Sequence, residues 1–214
     1  MKHVLAILLL LFPVLAWGQG AGSVAVVPTV ADLTNRVPSQ LNPVVSLLGY
    51  RTNGDFGAPR TIRYTPDSTN AVDNGCTFAT ITGVGRWEAP DCEGGHVNVR
   101  YFDARGDGVT DDTAAFQAAF DAVPMPATNT FYEARGGAVF IPNGVYVVSA
   151  PLRMRPKSVE GSSRFGTVIL NRGTTNDVFT AMTPAGTPPT GIWLYRVAHL
   201  SIHQAADVSP TAGA

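Results

Sequence analysis

Val97-Asn98-Val99-Arg100-Tyr101-Phe102-Asp103-Ala104-Arg105-Gly106-Asp107-Gly108-Val109-Thr110-Asp111-Asp112-Thr113-Ala114-Ala115-Phe116-Gln117 changes its periodicity partway along, and that change governs the reading of the chain around it. Residues 97–102 read as a strand and Arg105-Gly106-Asp107-Gly108 as a turn. Thr110-Asp111-Asp112-Thr113 then leads into a helix over residues 114–123, where Phe116, Ala119, Phe120 and Val123 recur at helical spacing and form one apolar stripe. Thr110 or Asp111 is placed to cap this helix by accepting from its free N–H groups, and carboxylates there suit the positive end of the helix dipole. Pro124 and Pro126 end it.

Downstream the pattern is strand-like and stays so: residues 138–141, the turn Pro142-Asn143-Gly144, then 145–148, 152–154, 167–170, 178–179 and 191–203. Short strands without alternating helices argue against a doubly wound sheet and for a sandwich, barrel or solenoid. Upstream, residues 61–64 alternate with period two, Asn74-Gly75 marks a turn and 77–82 read as another strand, which makes 49–95 a small β module. Residues 19–48 carry Pro28, Pro38 and Pro43 and read as a lead-in with one short helical turn near 30–35. Residues 1–18 have the form of a secretory signal peptide: Lys2 and His3, an apolar run over 4–15, then Ala16-Trp17-Gly18. A membrane anchor would need about 20 apolar residues, and Pro13 and Gly18 interrupt a shorter run. The expected location is therefore extracellular or periplasmic, with no membrane association once the signal is removed.

The formal net charge is −1, which supplies no basic field for nucleic acid and excludes that partner class. The 22 glycines and 16 prolines suit a turn-rich, strand-rich chain. Export would carry Cys76 and Cys92 into an oxidising space, where a disulfide is the natural pairing and two free thiols the alternative. Without Cys-x-x-Cys spacing the two are poor zinc or redox candidates.

The quoted stretch looks like the opening motif of the rhamnogalacturonase, epimerase and pectate-lyase-like β-helix family. Gly136-Gly137-Ala138-Val139-Phe140-Ile141-Pro142-Asn143-Gly144-Val145-Tyr146 resembles that family's glycine-rich first strand and turn, and Val159-Glu160-Gly161 with Gly166-Thr167-Val168-Ile169 resembles its next coil. The resemblance runs from about residue 97 to 170 and implies an all-β fold: a right-handed parallel β-helix, its N-terminal coils capped by one amphipathic helix over residues 96–214, preceded by the small β module. It implies a carbohydrate-active protein. The first expectation is the front part of a secreted polysaccharide-degrading enzyme, a glycoside hydrolase or lyase; the alternative is a non-catalytic glycan-binding or tailspike-like surface protein. Family enzymes place their acid/base residues on later coils, so the catalytic coils are expected to be missing from a truncated chain and the catalytic residues stay unknown. The implied partner is a polysaccharide, with acidic ones included, and the open C-terminal end is a surface for self-association. Asp103 departs from the family, which commonly has glycine there.

In the family, Gly106, Asp107, Gly108, Thr110, Asp111 and Asp112 form a structural motif, and turn and cap positions explain the three carboxylates better than paired acid catalysis does. Arg153, Arg155 and Lys157 alternate with apolar residues, so one strand face would carry three bases able to hold uronates, or to sit in solvent. His199 and His203 alternate likewise and would share an outer strand face, a spacing usable for substrate binding or proton transfer. No metal ligand set and no cofactor motif are identifiable; a calcium requirement, frequent among lyases of the family, stays open.

Overall fold

The computed structural model describes residues 24–41, 43–93, 95–123, 137–154, 158–175, 177–181 and 196–204. The expected signal peptide lies outside them.

The N-terminal module is one mixed sheet. Strand β1 (Ala25–Val27), helix α1 (Val30–Thr34), β2 (Val44–Leu47), β3 (Arg60–Thr65), β4 (Thr77–Phe78) and β5 (Arg86–Glu88) follow in sequence, and the strands lie in the order β1-β2-β3-β5-β4. Residues 25–47, read above as a lead-in, thus share a sheet with residues 60–88, because Val45 and Leu47 need the inner face of β3 to leave water. Thr29 caps α1 by accepting from the Asp32 N–H at 3.2 Å. Leu33, Val45, Leu47, Ile62, Phe78 and Trp87 fill the core.

The described residues between 96 and 204 wind into stacked coils. The first holds β6 (His96–Asn98), a 3-10 turn (Val99–Phe102), β7 (Asp107–Asp111) and helix α2 (Thr113–Ala122). The second holds β8 (Ala138–Ile141), β9 (Gly144–Val148) and β10 (Leu152–Met154), and the third β11 (Ser158–Gly161), β12 (Thr167–Asn171) and β13 (Phe179–Ala181). Strands β14 (Arg196–Ala198) and β15 (Ser201–Gln204) begin a fourth. The walls are β6-β8-β11-β14, β7-β9-β12-β15 and β10-β13, with every pairing parallel. The strand expected over 97–102 stops at Asn98, whose side chain accepts from the Arg100 N–H at 2.9 Å and turns the chain into the 3-10 segment. Part of the turn expected at 105–108 is instead the start of β7, because Asp107 pairs with Val145 of the next coil.

Like residues stack in register inside the solenoid. Val97, Val139 and Val159 form one buried column, and Tyr146 and Ile169 a second. Asn171 joins the interior with every polar atom matched: its amide donates to Gln204 Oε1 and Thr175 O at 2.9 Å each and its oxygen accepts from the Gly173 N–H at 2.8 Å.

Helix α2 closes the N-terminal end. Phe116 and Phe120 enter the core, with ring centres 5.3 Å from Tyr146 and 6.2 Å from Phe179 respectively. The same helix satisfies the backbone that a preceding coil would have paired. The Arg153 N–H donates to Gln117 Oε1 at 2.9 Å, Gln117 Nε2 donates back to Arg153 O at 3.4 Å, and the Ser149 N–H donates to Thr113 Oγ1 at 2.8 Å. Thr113 and Gln117, one helical turn apart, stand in for a strand and blunt the edge of the sheet.

Module and solenoid meet at a packed seam. Tyr101 packs against both cores, Phe56 meets it edge-on at 5.7 Å, and the Arg60 guanidinium lies 3.5 Å from its ring centre. Arg60 is only 3% exposed. Its charge is tolerated because Asp91 accepts two hydrogen bonds, at 2.9 and 2.8 Å, and Gly75 O a third at 2.7 Å. Gly75 is required here, since a Cβ would fall 2.3 Å from the Phe102 ring. Cys76 and Cys92 are joined, with Cα atoms 5.8 Å apart; Cys76 packs on the solenoid core and Cys92 on that of the module. Replacing both by serine should lower stability by about 3 kcal/mol, the chain-entropy value for a loop this short, read as a lower urea midpoint. An unchanged midpoint would mean that the bridge does not constrain the unfolded chain.

Candidate functional site

The motif carboxylates are consumed by backbone. Asp107 accepts from the Val109 and Thr110 N–H groups at 2.9 and 2.7 Å and from the Thr110 hydroxyl at 2.7 Å. Thr110 is thereby tied to this turn and does not cap α2. Asp111 accepts from the Thr113 N–H at 3.0 Å and from the Thr113 and Ser149 hydroxyls, which supplies the first turn of the helix. Burial raises the Asp111 pKa, but those hydrogen bonds outweigh it and leave the group below the usual range. Asp112 is buried and reaches back, accepting from the Arg105 N–H at 2.7 Å and the Gly106 N–H at 3.2 Å; burial holds its pKa above the ordinary value despite these donors. Gly106 has φ +62°, and a Cβ there would lie 2.7 Å from the Tyr146 ring.

These hydrogen bonds hold the fully exposed Asp107 at a pKa of about 2, against an ordinary 3.8. A depressed folded-state pKa means stabilisation that is present above 3.8 and lost as the pH falls through about 2. Asp107→Asn should therefore lower the denaturation midpoint at neutral pH and leave it unchanged near the acid end of that window. An equal loss at both ends would show that the charge is not what matters.

The remaining candidates separate. Arg153 faces outward on β10 with its guanidinium 3.9 Å from Asp121 of α2, so the cap holds it. Arg155 and Lys157 lie outside the described residues, and the three-base row has only this described member. His199 and His203 do not share a strand face: β14 ends at Ala198, His199 takes φ +58° at the corner, and β15 starts at Ser201. The corner breaks the alternation that the sequence suggested. Both histidines are exposed. Among the described residues no group of three or more His, Cys, Asp or Glu side chains could hold a metal ion, and no helix is long and apolar enough to cross a membrane.

A cleft of about 400 Å³ lies along the seam, between Tyr50, Arg51, Asp73 and Asn74 of the module and Phe102, Asp103, Arg105, Asp111 and the Ala114, Ala115 and Ala118 face of α2. Asp103 adopts φ +78°, a conformation that favours glycine. Its carboxylate accepts from Arg51 Nε at 2.6 and 2.8 Å and also pairs with Arg51 Nη2, so the residue that departs from the family pattern fastens module to solenoid. That departure was the one signal in the sequence that could have drawn attention to Arg51. Tyr50, Asn74 and Arg105 gave none.

A solenoid of parallel strands closed at its start by an amphipathic helix is a parallel β-helix protein, here with an added β module. Residues 96–188 match the family described as rhamnogalacturonase A/epimerase, pectate lyase-like, and this part of the chain belongs to that right-handed β-helix superfamily, as its N-terminal portion. A 52-residue stretch is 54% identical to the mannuronan C5-epimerase AlgE5 of Azotobacter vinelandii, over 24% of this chain and 4% of that protein. A stretch of the same length is 50% identical to alginate lyase 7 of the same organism, over 24% of this chain and 5% of the lyase. The chain therefore corresponds to a small fraction of these relatives. Among solved structures, tailspike protein 2 of the Escherichia coli O157:H7 bacteriophage CAB120 aligns over 92% of this chain and 26% of its own, with TM-score 0.57 and 19% identity. WceF of Pantoea stewartii, described as a glycan biofilm modifying enzyme with a tailspike-like parallel β-helix fold, aligns over 86% of this chain and 28% of its own, with TM-score 0.52 and 16% identity. At these identities the structures speak for the fold. Residues 96–188 are thus similar to a β-helix family that includes carbohydrate-active members.

Proposed function

We propose that this protein is exported and acts on a polysaccharide rich in uronate units, as the front part of a β-helix enzyme that depolymerises or epimerises it. The observation that carries the reading is the match of residues 96–188 to the pectate-lyase-like family, together with the identity to a mannuronan epimerase and an alginate lyase. Epimerisation at C5 and β-elimination share their first step, removal of the C5 proton beside the carboxylate, so a uronate is the substrate class common to both. The signal-like residues 1–18 and the Cys76–Cys92 bridge support export.

The test is to incubate the purified protein, and any longer product recovered from the culture medium, with mannuronate-rich, pectic and neutral polysaccharides. Unsaturated ends, reducing ends and C5 inversion are followed together. Turnover of a uronate polymer is the expected result. Binding without turnover would favour the non-catalytic glycan-binding alternative, and neither binding nor turnover would overturn the proposal.

A further inference from the structure

The sequence holds three Asn-Gly pairs, Asn53-Gly54, Asn74-Gly75 and Asn143-Gly144, and all three share one latent reaction. The glycine nitrogen, once deprotonated, attacks the asparagine Cγ; a C–N bond forms, ammonia leaves, and a five-membered succinimide results. Water then opens either ring carbonyl. The products are aspartate and isoaspartate, and in the latter the chain runs through the side-chain carbonyl and gains one methylene. Glycine favours ring closure because no Cβ obstructs the approach and the backbone turns freely. All three asparagines are exposed, so access to water does not distinguish them. The hold on each linking peptide does.

Asn143-Gly144 is fixed at both ends of its peptide. The Gly144 N–H donates to Gly166 O of the next coil at 2.8 Å, and Asn143 O accepts from Arg100 Nη2 at 3.1 Å. Asn143 Oδ1 also accepts from Ser163 Oγ at 3.4 Å. Asn74-Gly75 is fixed in another way. The Gly75 N–H donates to the Asp73 carboxylate at 2.9 Å, and that negative charge opposes loss of the proton. The Asn74 N–H donates to Thr77 O at 3.0 Å, Gly75 O accepts from Arg60 Nη1 at 2.7 Å, and Gly75 is buried against Phe102.

Asn53-Gly54 has none of this support. Asn53 makes no hydrogen bond among the described residues, and the linking peptide is held only by the Gly54 N–H, which donates to Leu48 O at 3.1 Å. Gly54 is exposed at φ +93°, and a Cβ there would meet nothing within 4 Å. We propose that Asn53 is a site of spontaneous deamidation in the folded protein, the Asn-Gly pair of the three that the fold leaves open, and that its conversion to isoaspartate loosens the seam between module and solenoid. The consequence follows from what the loop carries. Asp55 gathers the Tyr50, Arg51 and Thr52 N–H groups, which sets Arg51 against Asp103, and Phe56 meets Tyr101. A methylene added to the backbone at residue 53 falls between Asp55 and the three amides it holds.

The experiment incubates the full chain in mildly alkaline buffer, folded and in concentrated urea, and follows each Asn-Gly peptide by mass spectrometry with chromatographic separation of aspartate from isoaspartate. In urea the three pairs should convert at similar rates. In the folded protein Asn74 and Asn143 should convert at least about tenfold more slowly than Asn53, the factor that one further hydrogen bond to be opened supplies. Conversion of Asn74 or Asn143 as fast as Asn53 in the folded protein would overturn the site, as would an Asn53 that stays intact while the unfolded chain is converted. Hydrogen exchange of the converted protein tests the consequence: the Tyr50, Arg51 and Thr52 amides should exchange about tenfold faster or more. Asn53→Gln, in which the corresponding ring closes far less readily, should show no such change after the same incubation. Unchanged exchange in the converted protein, or an equal change in Asn53→Gln, would overturn the loosening of the seam.

Discussion

Replacing Phe116 by alanine should destabilise the solenoid by about 3–5 kcal/mol, the range for a fully buried aromatic. The ring is 0% exposed, meets Tyr146 edge-on at 5.3 Å and packs beside Phe120. Removing it opens a void between the cap and the first complete coil, in the core cluster that holds Val139, Ile141 and Tyr146. In a chain of this size the loss corresponds to a fall of roughly 6–20 °C in Tm, read from a thermal melt by circular dichroism. Loosening the cap also uncovers the edge of β10, so the variant should aggregate sooner on heating. A Tm within a degree or two of the unaltered protein would mean that α2 is not seated as described.

Asp112→Ala is the second large effect, by another route. Asp112 is 1% exposed, and its loss would leave the part-buried Arg105 and Gly106 N–H groups without their acceptor, at up to about 1–3 kcal/mol for each group. Asp112→Asn keeps one acceptor oxygen where two are used and should cost about half as much. The pH dependence distinguishes this carboxylate from Asp107. Burial raises its folded-state pKa above 3.8, so the fold binds its proton more tightly than the unfolded chain does. Its contribution is greatest at low pH and declines as the pH rises from 3.8 through the raised value. Asp112→Asn should flatten that part of the stability profile. An unaltered slope there would place its origin in another group.

The parts of the fold legible in the sequence are those where the signal is local. The stripe of Phe116, Ala119 and Phe120, the alternation in β3 and the motif around Gly106 each lie within a dozen residues, and each could be assigned from periodicity or turn chemistry. Arg60 could not. Its place on the buried face of β3 depends on Asp91 and on Gly75 O, 31 and 15 residues away. His199 and His203 misled because period-two alternation continues across a corner as easily as along a strand, and only the positive φ at His199 reveals the break. The cleft was invisible for the same reason as Arg60: Arg51 and Asp103 stand 52 residues apart, and a chain read in order does not juxtapose them.

The side-chain amide that Gln117 offers to the backbone of Arg153 gives the molecule a direction of growth. One end of the stack is finished by a helix, and among the described residues the other ends on strands. At β14 and β15, Val197 and Ile202 stand 42% and 45% exposed, although Val159 and Ile169, their partners one layer back, are 0% exposed. The helical end accepts no further layer. Synthesis runs the same way, so the closed end is made before any coil that must settle on it, and each new turn of chain meets a completed template. The helix is in this sense the foundation course of the wall, laid first and never built upon from below.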